Sequence, residues 1–350
     1  MYSEQDLQSA VSAGAISGEA ADALRSHANG LRAAPVADEE HFRLITGFND
    51  IFVTIAAVLL LVAAAGIGGA VAPGIAGLLV AGSAWGLAEF FTRQRRMALP
   101  SIVLLLAFVA GVAAVPIEII DSGNPKMSDQ AAALIGAAVA LLAAGAAYIH
   151  WRRFMVPITV AAGAAAVAVT AIALVVSALV AANPNGDPEP YLLPLVFAAG
   201  LGVFAVAMRW DMSDPKRETR RSDVAFWLHL LAAPMIAHPL FNWLGVNDGE
   251  NIGALAAIGV LAVYVLMGLV ALAVDRRALL VSALAYVLVA LTWLFRDFGM
   301  VELNVALTGL VIGSALLALS AFWTPIRSAV VKQLPGGMQS KLPGGMALTA

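Results

Sequence analysis

The sequence predicts an all-α fold, a polytopic transmembrane helix bundle of about ten spans with both termini in the cytoplasm. Three observations carry that reading. Hydrophobic residues make up 61% of the 350-residue chain and charged residues 12%, with a mean hydropathy of +0.87, where a soluble domain has about 45–50% apolar and about 25% charged residues. The apolar residues are gathered into runs that match the roughly 20 residues a helix needs to cross hydrocarbon. The basic residues alternate from one side of these runs to the other.

Residues 1–45 are the one sizeable polar segment. Ser3-Glu4-Gln5-Asp6 has the form of a capping box, Gly14-Ala15-Ile16-Ser17 breaks the helix that follows, Ser17 caps a second, and Gly30 stops it. The expected product is a small cytoplasmic helical hairpin, with residues 31–40 as a linker. The extreme N-terminus is acidic and lacks the positive region and apolar run of a cleavable signal peptide. Membrane insertion is therefore expected to begin at the first span.

Residues 46–325 are expected to form the bundle. The candidate spans are 51–71, 73–91, 100–120, 130–149, 155–182, 191–209, 224–245, 252–274, 278–295 and 305–323. Such segments must be helical, because no water is present to satisfy an open backbone. The first two are separated by a glycine- and proline-bearing turn, Gly68 to Gly74. Loops after even-numbered spans carry Arg93, Arg95 and Arg96; Arg152 and Arg153; Arg209, Lys216, Arg217, Arg220 and Arg221; and Arg276 and Arg277. With Arg25, Arg32 and Arg43 before the bundle and Arg327, Lys332 and Lys341 after it, one side holds all but Lys126 and Arg296 of the 20 basic residues. Short cytoplasmic loops retain Lys and Arg, so the expected orientation is N-in and C-in. The abundance of Ala and Gly fits a high-GC bacterial chain, hence the inner membrane. Trp151, Trp210, Trp227 and Trp323 fall at inner ends and Tyr191, Trp243 and Trp293 near outer ends, as interfacial aromatics do. Residues 326–350 contain Leu-Pro-Gly-Gly-Met twice, at 334–338 and 342–346, and read as a flexible cytoplasmic tail.

Several function classes are excluded or weakened. A net charge of −3 speaks against a nucleic-acid partner. The absence of cysteine removes disulfides, thiolate metal sites and cysteine nucleophiles. No Walker A, HExxH, GxSxG or dinucleotide-binding glycine pattern occurs in a credible context, and the expectation is a non-enzymatic protein without cofactor or metal. Bis-histidine haem would need His150 and His229 at one depth on facing helices, and no supporting motif accompanies them.

The seventh span, 224–245, departs most from a plain hydrophobic helix. It contains His229, Pro234, His238, Pro239 and Asn242. Prolines remove backbone hydrogen bonds and kink a helix, and broken helices line substrate and ion paths in transporters. His238 and Asn242 are four apart and share a face, and histidine titrates near neutral pH. His229, Pro234, His238 and Asn242 are the candidate path residues; their alternative role is polar glue between helices. Glu89 precedes Arg93 by four, the spacing of a helical ion pair, and Glu118 reads as an interfacial residue near an outer end. Gly82-x-x-x-Gly86 and Gly309-x-x-x-Gly313 are small-residue patterns that serve bundle packing or a homo-oligomer face.

The stretch Asp6-Leu7-Gln8-Ser9-Ala10-Val11-Ser12-Ala13-Gly14-Ala15-Ile16-Ser17-Gly18-Glu19-Ala20-Ala21 resembles a cytoplasmic module that precedes several spans in bacterial membrane proteins of families catalogued as domains of unknown function. The resemblance implies an inner-membrane protein and carries over no site residues. Ten spans also equal the count in the drug/metabolite transporter superfamily, an analogy of number alone. The expected functions are a secondary transporter of a small solute with span seven lining the path, or a structural or sensory protein recruiting a cytoplasmic partner through residues 1–45. An intramembrane enzyme acting on lipid ranks behind both.

Overall fold

The computed structural model describes residues 9–24, 48–123, 126–184, 186–215, 217, 219–245, 254–297, 303–339 and 342. The chain divides into two units, Met1–Leu44 and Ile45–Ala350. In the first, residues 9–12 and 18–24 are helical. The turn between them uses Gly14 in the left-handed region (φ 71°), and the Ser17 hydroxyl accepts the Ala20 N–H at 3.1 Å as an N-cap. The proposed capping box at Ser3, the stop at Gly30 and the 31–40 linker lie outside the described residues.

The second unit is helical, with no strand among the described residues. Its elements are α1 (Phe48–Val71), α2 (Ile75–Ala88, continued by a π-helical turn Glu89–Gln94), α3 (Ala98–Ser122), α4 (Asp129–Phe154), α5 (Ile158–Ala182), α6 (Glu189–Met212), α7 (Arg220–Trp243), α8 (Ala254–Val274), α9 (Ala278–Asp297), α10 (Asn304–Ala321), α11 (Trp323–Lys332) and the short α12 (Gly336–Gln339). Each expected apolar run lies on one of α1–α10. Among the described residues eight helices, α1 to α8, are long and apolar enough to cross a bilayer; α10 and α11 together make a ninth such segment, bent by 77°, and α9 is a shorter apolar helix. The outer surface is hydrophobic in the way lipid requires, with Leu59 66% exposed, Leu255 84% and Leu317 74%. In water such contiguous apolar surface would drive aggregation. This is a helical membrane protein.

Neighbouring helices pack as sequential pairs, and α7 lies inside, in contact with α5, α6 and α9. Half of its most apolar window is buried, against 11–33% in the other seven spans. The most polar long helix therefore sits where other helices, rather than lipid, surround it. Small residues allow the closest approaches. On α4, Ala140, Ala143 and Ala147 form a buried stripe at helical spacing, and α4 and α5 make the most extensive pair in the bundle. On α2 and α3, a Cβ at Gly77 would stand 2.6 Å from the Gly111 carbonyl oxygen, and one at Gly111 would stand 2.8 Å from the Ala81 nitrogen.

The expected glycine pattern is different. A Cβ added at Gly82, Gly86, Gly309 or Gly313 meets nothing within 4 Å. The GxxxG spacings thus do not pack this bundle; they fall on open faces, because the α2–α3 contact runs along the Gly77–Ala81 side of the helix instead. The tail also begins later than expected. Residues 326–332 belong to α11, where Arg327 and Val331 are buried, because that helix folds back onto α8. Most of the second Leu-Pro-Gly-Gly-Met copy lies outside the described residues.

Two carboxylates bind the N-terminal helices. Glu118 on α3, read from the sequence as an interfacial residue, accepts the Gly74 N–H at 2.8 Å and so holds the left-handed turn (φ 86° at Gly74) that starts α2. Glu89 pairs with Arg93 as its spacing suggested, at 3.2 Å, and also takes two bonds from Arg153 of α4, at 2.6 and 2.9 Å.

Gly77→Val should lower the thermal midpoint in detergent by several degrees, since overpacking costs about 1–3 kcal/mol. Gly82→Ala should leave the midpoint of the monomer unchanged. Scanning fluorimetry of the two variants checks the pair.

Candidate functional site

The sequence places its strongest chemistry at one end of α7, where three helix junctions meet. Asp211 ends α6, Ser222 and His229 lie on the first half of α7, and Asp275-Arg276-Arg277 form the turn from α8 to α9. Asp211 and His229 are completely buried and Arg276 is 2% exposed. The Asp211 carboxylate receives Arg276 through both Nη2 and Nε, the latter at 3.3 Å, and bonds His229 Nε2 at 2.8 Å. Arg276 Nη2 also reaches the Ser222 hydroxyl at 3.0 Å and its carbonyl oxygen at 3.2 Å. A bidentate guanidinium on a carboxylate is the strong form of this bond. Removal from water costs several kcal/mol per ion, and only such complete coordination repays it.

A second layer closes the same end. Arg217, in the α6–α7 loop, donates to the Asp275 carboxylate at 2.9 Å and to the Asp275 and Val274 carbonyl oxygens at 2.9 and 3.4 Å. The Trp323 indole N–H donates to Asp275 at 2.7 Å, Arg327 stands 3.4 Å from the same carboxylate, and Arg277 stacks on the Trp323 ring at 5.0 Å. Both Arg217 (φ 54°) and Asp275 (φ 60°) adopt left-handed backbone, at about 1–2 kcal/mol each. The two strained residues are bonded to one another, so the pairing holds both loops in conformations that neither would keep alone. Upstream, Asp214 accepts the Thr219 N–H at 2.9 Å and its hydroxyl at 2.6 Å, and Thr219 in turn caps α7.

His229 joins the cluster through one ring nitrogen only. Nε2 is committed to Asp211, whereas Nδ1 is buried with no hydrogen-bond partner, and Phe204 packs edge-on at 5.2 Å. A neutral ring with the proton on Nε2 satisfies Asp211 and leaves Nδ1 as a bare acceptor, which costs less than a bare donor on a cation. A proton arriving at Nδ1 would need a water or a shifted helix to receive it.

The other expected path residues lie elsewhere. Pro234 and His238 are exposed, and Asn242 is half-buried. His238 Nδ1 bonds the Tyr286 hydroxyl of α9 at 2.6 Å, and Phe241 stacks on the same ring at 4.5 Å. The structure thus brings Pro234, His238 and Asn242 to one outward face of α7 and His229 to the inward one. Arg276 reads in the sequence only as a loop charge, and Asp211 is not singled out there at all. The legible signal was an acid embedded in each arginine-rich turn, Asp211 and Asp275.

Among the described residues, no group of three or more His, Asp or Glu side chains is arranged to hold a metal ion. His150 is buried against Trp85, Phe108 and Phe154, with its Nδ1 3.4 Å from the Thr159 hydroxyl. No family model, curated protein or solved structure matches this chain.

Arg276→Ala strands the Asp211 charge and should cost about 3–5 kcal/mol. Asp211→Asn combined with Arg276→Met removes both charges and should recover much of that loss. A double-mutant cycle on unfolding midpoints reads the coupling.

Proposed function

We propose that the chain is a ten-span protein of the bacterial inner membrane, with both termini in the cytoplasm, that acts as a secondary transporter of a small solute with α7 as its coupling helix. The observation that carries this reading is the burial of α7. It has two internal prolines, Pro234 and Pro239, which leave the α7 backbone short of two hydrogen bonds, and it is nonetheless the most enclosed span. Inside it, His229 joins Asp211 and Arg276 in a place where an added proton changes the local bonding. Ionisable residues within spans are functional by default because their burial is costly, and alternating-access carriers build their sites on interrupted helices.

The orientation rests on the arginine alternation. Because the chain has no cysteine, a single cysteine reports one site. Ser213→Cys in the α6–α7 loop should react with an impermeant maleimide only after the cells are opened, and Asn183→Cys in the α5–α6 loop should react in intact spheroplasts. The reverse pattern would invert the topology.

Transport is tested with the full chain in liposomes enclosing a pH-sensitive dye, under an imposed proton gradient, with amino acids, sugars, organic acids and amines supplied in turn. One solute class should evoke proton movement, and His229→Gln should reduce it by at least about tenfold, the low end of what a positioned acid–base group contributes. His238→Ala with Asn242→Ala reports the outward face separately, and its loss alone would move the path to that side. Silence to every class in the folded protein removes the transport reading.

A second reading has its own observation. The turn-capped helices at 9–12 and 18–24 belong to a unit separate from the bundle, as a docking module for a cytoplasmic partner would. Deleting residues 1–45 should leave solute-driven proton movement intact if the chain is a transporter. If the chain is a recruiting protein, the deletion should abolish co-purification of its partner.

A further inference from the structure

α4 packs far more extensively on α5 than on α3, and α3 and α5 scarcely touch. Between the three helices lies a groove of about 470 Å³, lined by Ile117 and Asp121 of α3, Ala132, Gly136 and Ala143 of α4 and Val169 of α5 among others. Ile117 is 52% exposed and Val169 53%, so the groove opens on the outer surface of the bundle. The α4 side is left open by glycine, since a Cβ added at Gly136 would meet nothing within 4 Å.

From Ala132 to Ala143 the lining spans roughly 16 Å at the helical rise of 1.5 Å per residue. That is about the depth of one leaflet, half of a hydrocarbon core of about 30 Å. The walls are apolar, and of the described residues that line the groove Asp121 alone is ionisable. It stands at the helix-terminal end, in the last turn of α3, which holds no basic residue. Its charge therefore faces the negative end of the helix macrodipole, where a cation is favoured and an anion is not. The Asp121 carboxylate is exposed and has no hydrogen bond or ion pair among the described residues. Glu118, one turn earlier, is already committed to the Gly74 N–H. The other exposed charges between Asp121 and the first turn of α4 are Lys126 and Asp129, so acids outnumber bases at this end. An apolar channel one leaflet deep with an unsatisfied carboxylate at its interfacial end matches a lipid whose headgroup carries a cation.

We propose that the groove between α3, α4 and α5 binds an aminophospholipid, with one acyl chain along Ile117, Gly136 and Ala143 and the headgroup ammonium on Asp121. An ethanolamine headgroup supplies N–H donors to the carboxylate, as a lysine ammonium does. A choline headgroup has the charge without the donors, and a glycerol headgroup has no cation. The bound lipid bridges α3 to α4 and α5 where direct helix contact is thin. This assignment needs only the membrane character of the chain and is independent of its orientation and of transport.

The test uses the purified full chain in detergent. Native mass spectrometry with dioleoyl phosphatidylethanolamine should show a retained adduct, about tenfold above those with dioleoyl phosphatidylcholine and dioleoyl phosphatidylglycerol, the scale of one charge-assisted hydrogen bond. Asp121→Asn should remove the preference and Asp121→Glu should restore part of it. Gly136→Leu, at a position with room for a side chain, should lower retention of all three lipids. A second measurement covers the case in which a variant fails to fold. Wild-type protein is irradiated with phosphatidylethanolamine bearing a diazirine on the acyl chain, and the label should concentrate in peptides containing residues 113–121 and 132–143. Equal retention of the three lipids, an unaltered Asp121→Asn variant, or label spread evenly over the outer helices would each overturn the site and leave only annular lipid. A dimer that Gly136→Leu abolishes, with no lipid preference in the wild type, would overturn it in favour of a second copy of the chain in the groove.

Discussion

The C-terminal half of this protein depends on one constraint: a charge withdrawn from water must be matched at once by others. Asp211 satisfies it with Arg276 and His229, each almost without exposure. Asp275 satisfies it with Arg217, Arg327 and the Trp323 indole. The partners come from α6, α7, the α8–α9 turn and α11, so meeting the electrostatic requirement fixes how those elements meet. Apolar contacts alone would not do this. Alanine and leucine faces tolerate sliding and rotation at little cost, whereas a bidentate ion pair has one geometry.

The N-terminal helices are joined by looser means. Glu89 ties the end of α2 to Arg153 of α4, but all three side chains of that cluster stay partly open, Arg93 by 55%. An ion pair of that kind is screened and contributes little. What holds α2 to α3 is close backbone contact at Gly77 and Gly111, together with the Glu118 carboxylate bound at the start of α2. The two halves therefore solve the same packing problem differently, one with small residues and the other with buried charge.

α7 shows how far sequence and structure each carry the functional argument. Its two histidines, two prolines and asparagine mark it as exceptional in the linear chain, and it proves to be the most enclosed span. The histidines nevertheless have unlike surroundings. His229 is nine residues before His238, two and a half helical turns, which turns the two toward opposite sides. One meets Asp211, and the other meets Tyr286 at the outward face. Treating both as members of one path follows from their residue type, and only packing against α6 and α9 distinguishes them. The GxxxG patterns teach the same point, since a Cβ added at Gly82 or Gly309 meets nothing within 4 Å among the described residues.

By itself the sequence determined the helical class, the membrane character and the positions of the apolar helices. These follow from local composition, because hydrocarbon imposes the same demand on every residue in a run and requires no knowledge of neighbours. Capping, such as that by Ser17, and the Glu89–Arg93 pair were legible for the same reason, lying within one turn of helix. Tertiary structure alone decided that Arg276 of the arginine pair turns inward and Arg277 outward. It also decided that Asp211 and Asp275 become the centres of buried clusters. Those outcomes join residues as far apart as Asp211 and Arg276, or Asp275 and Trp323, and depend on which helix faces which, a three-dimensional fact that residue spacing does not encode.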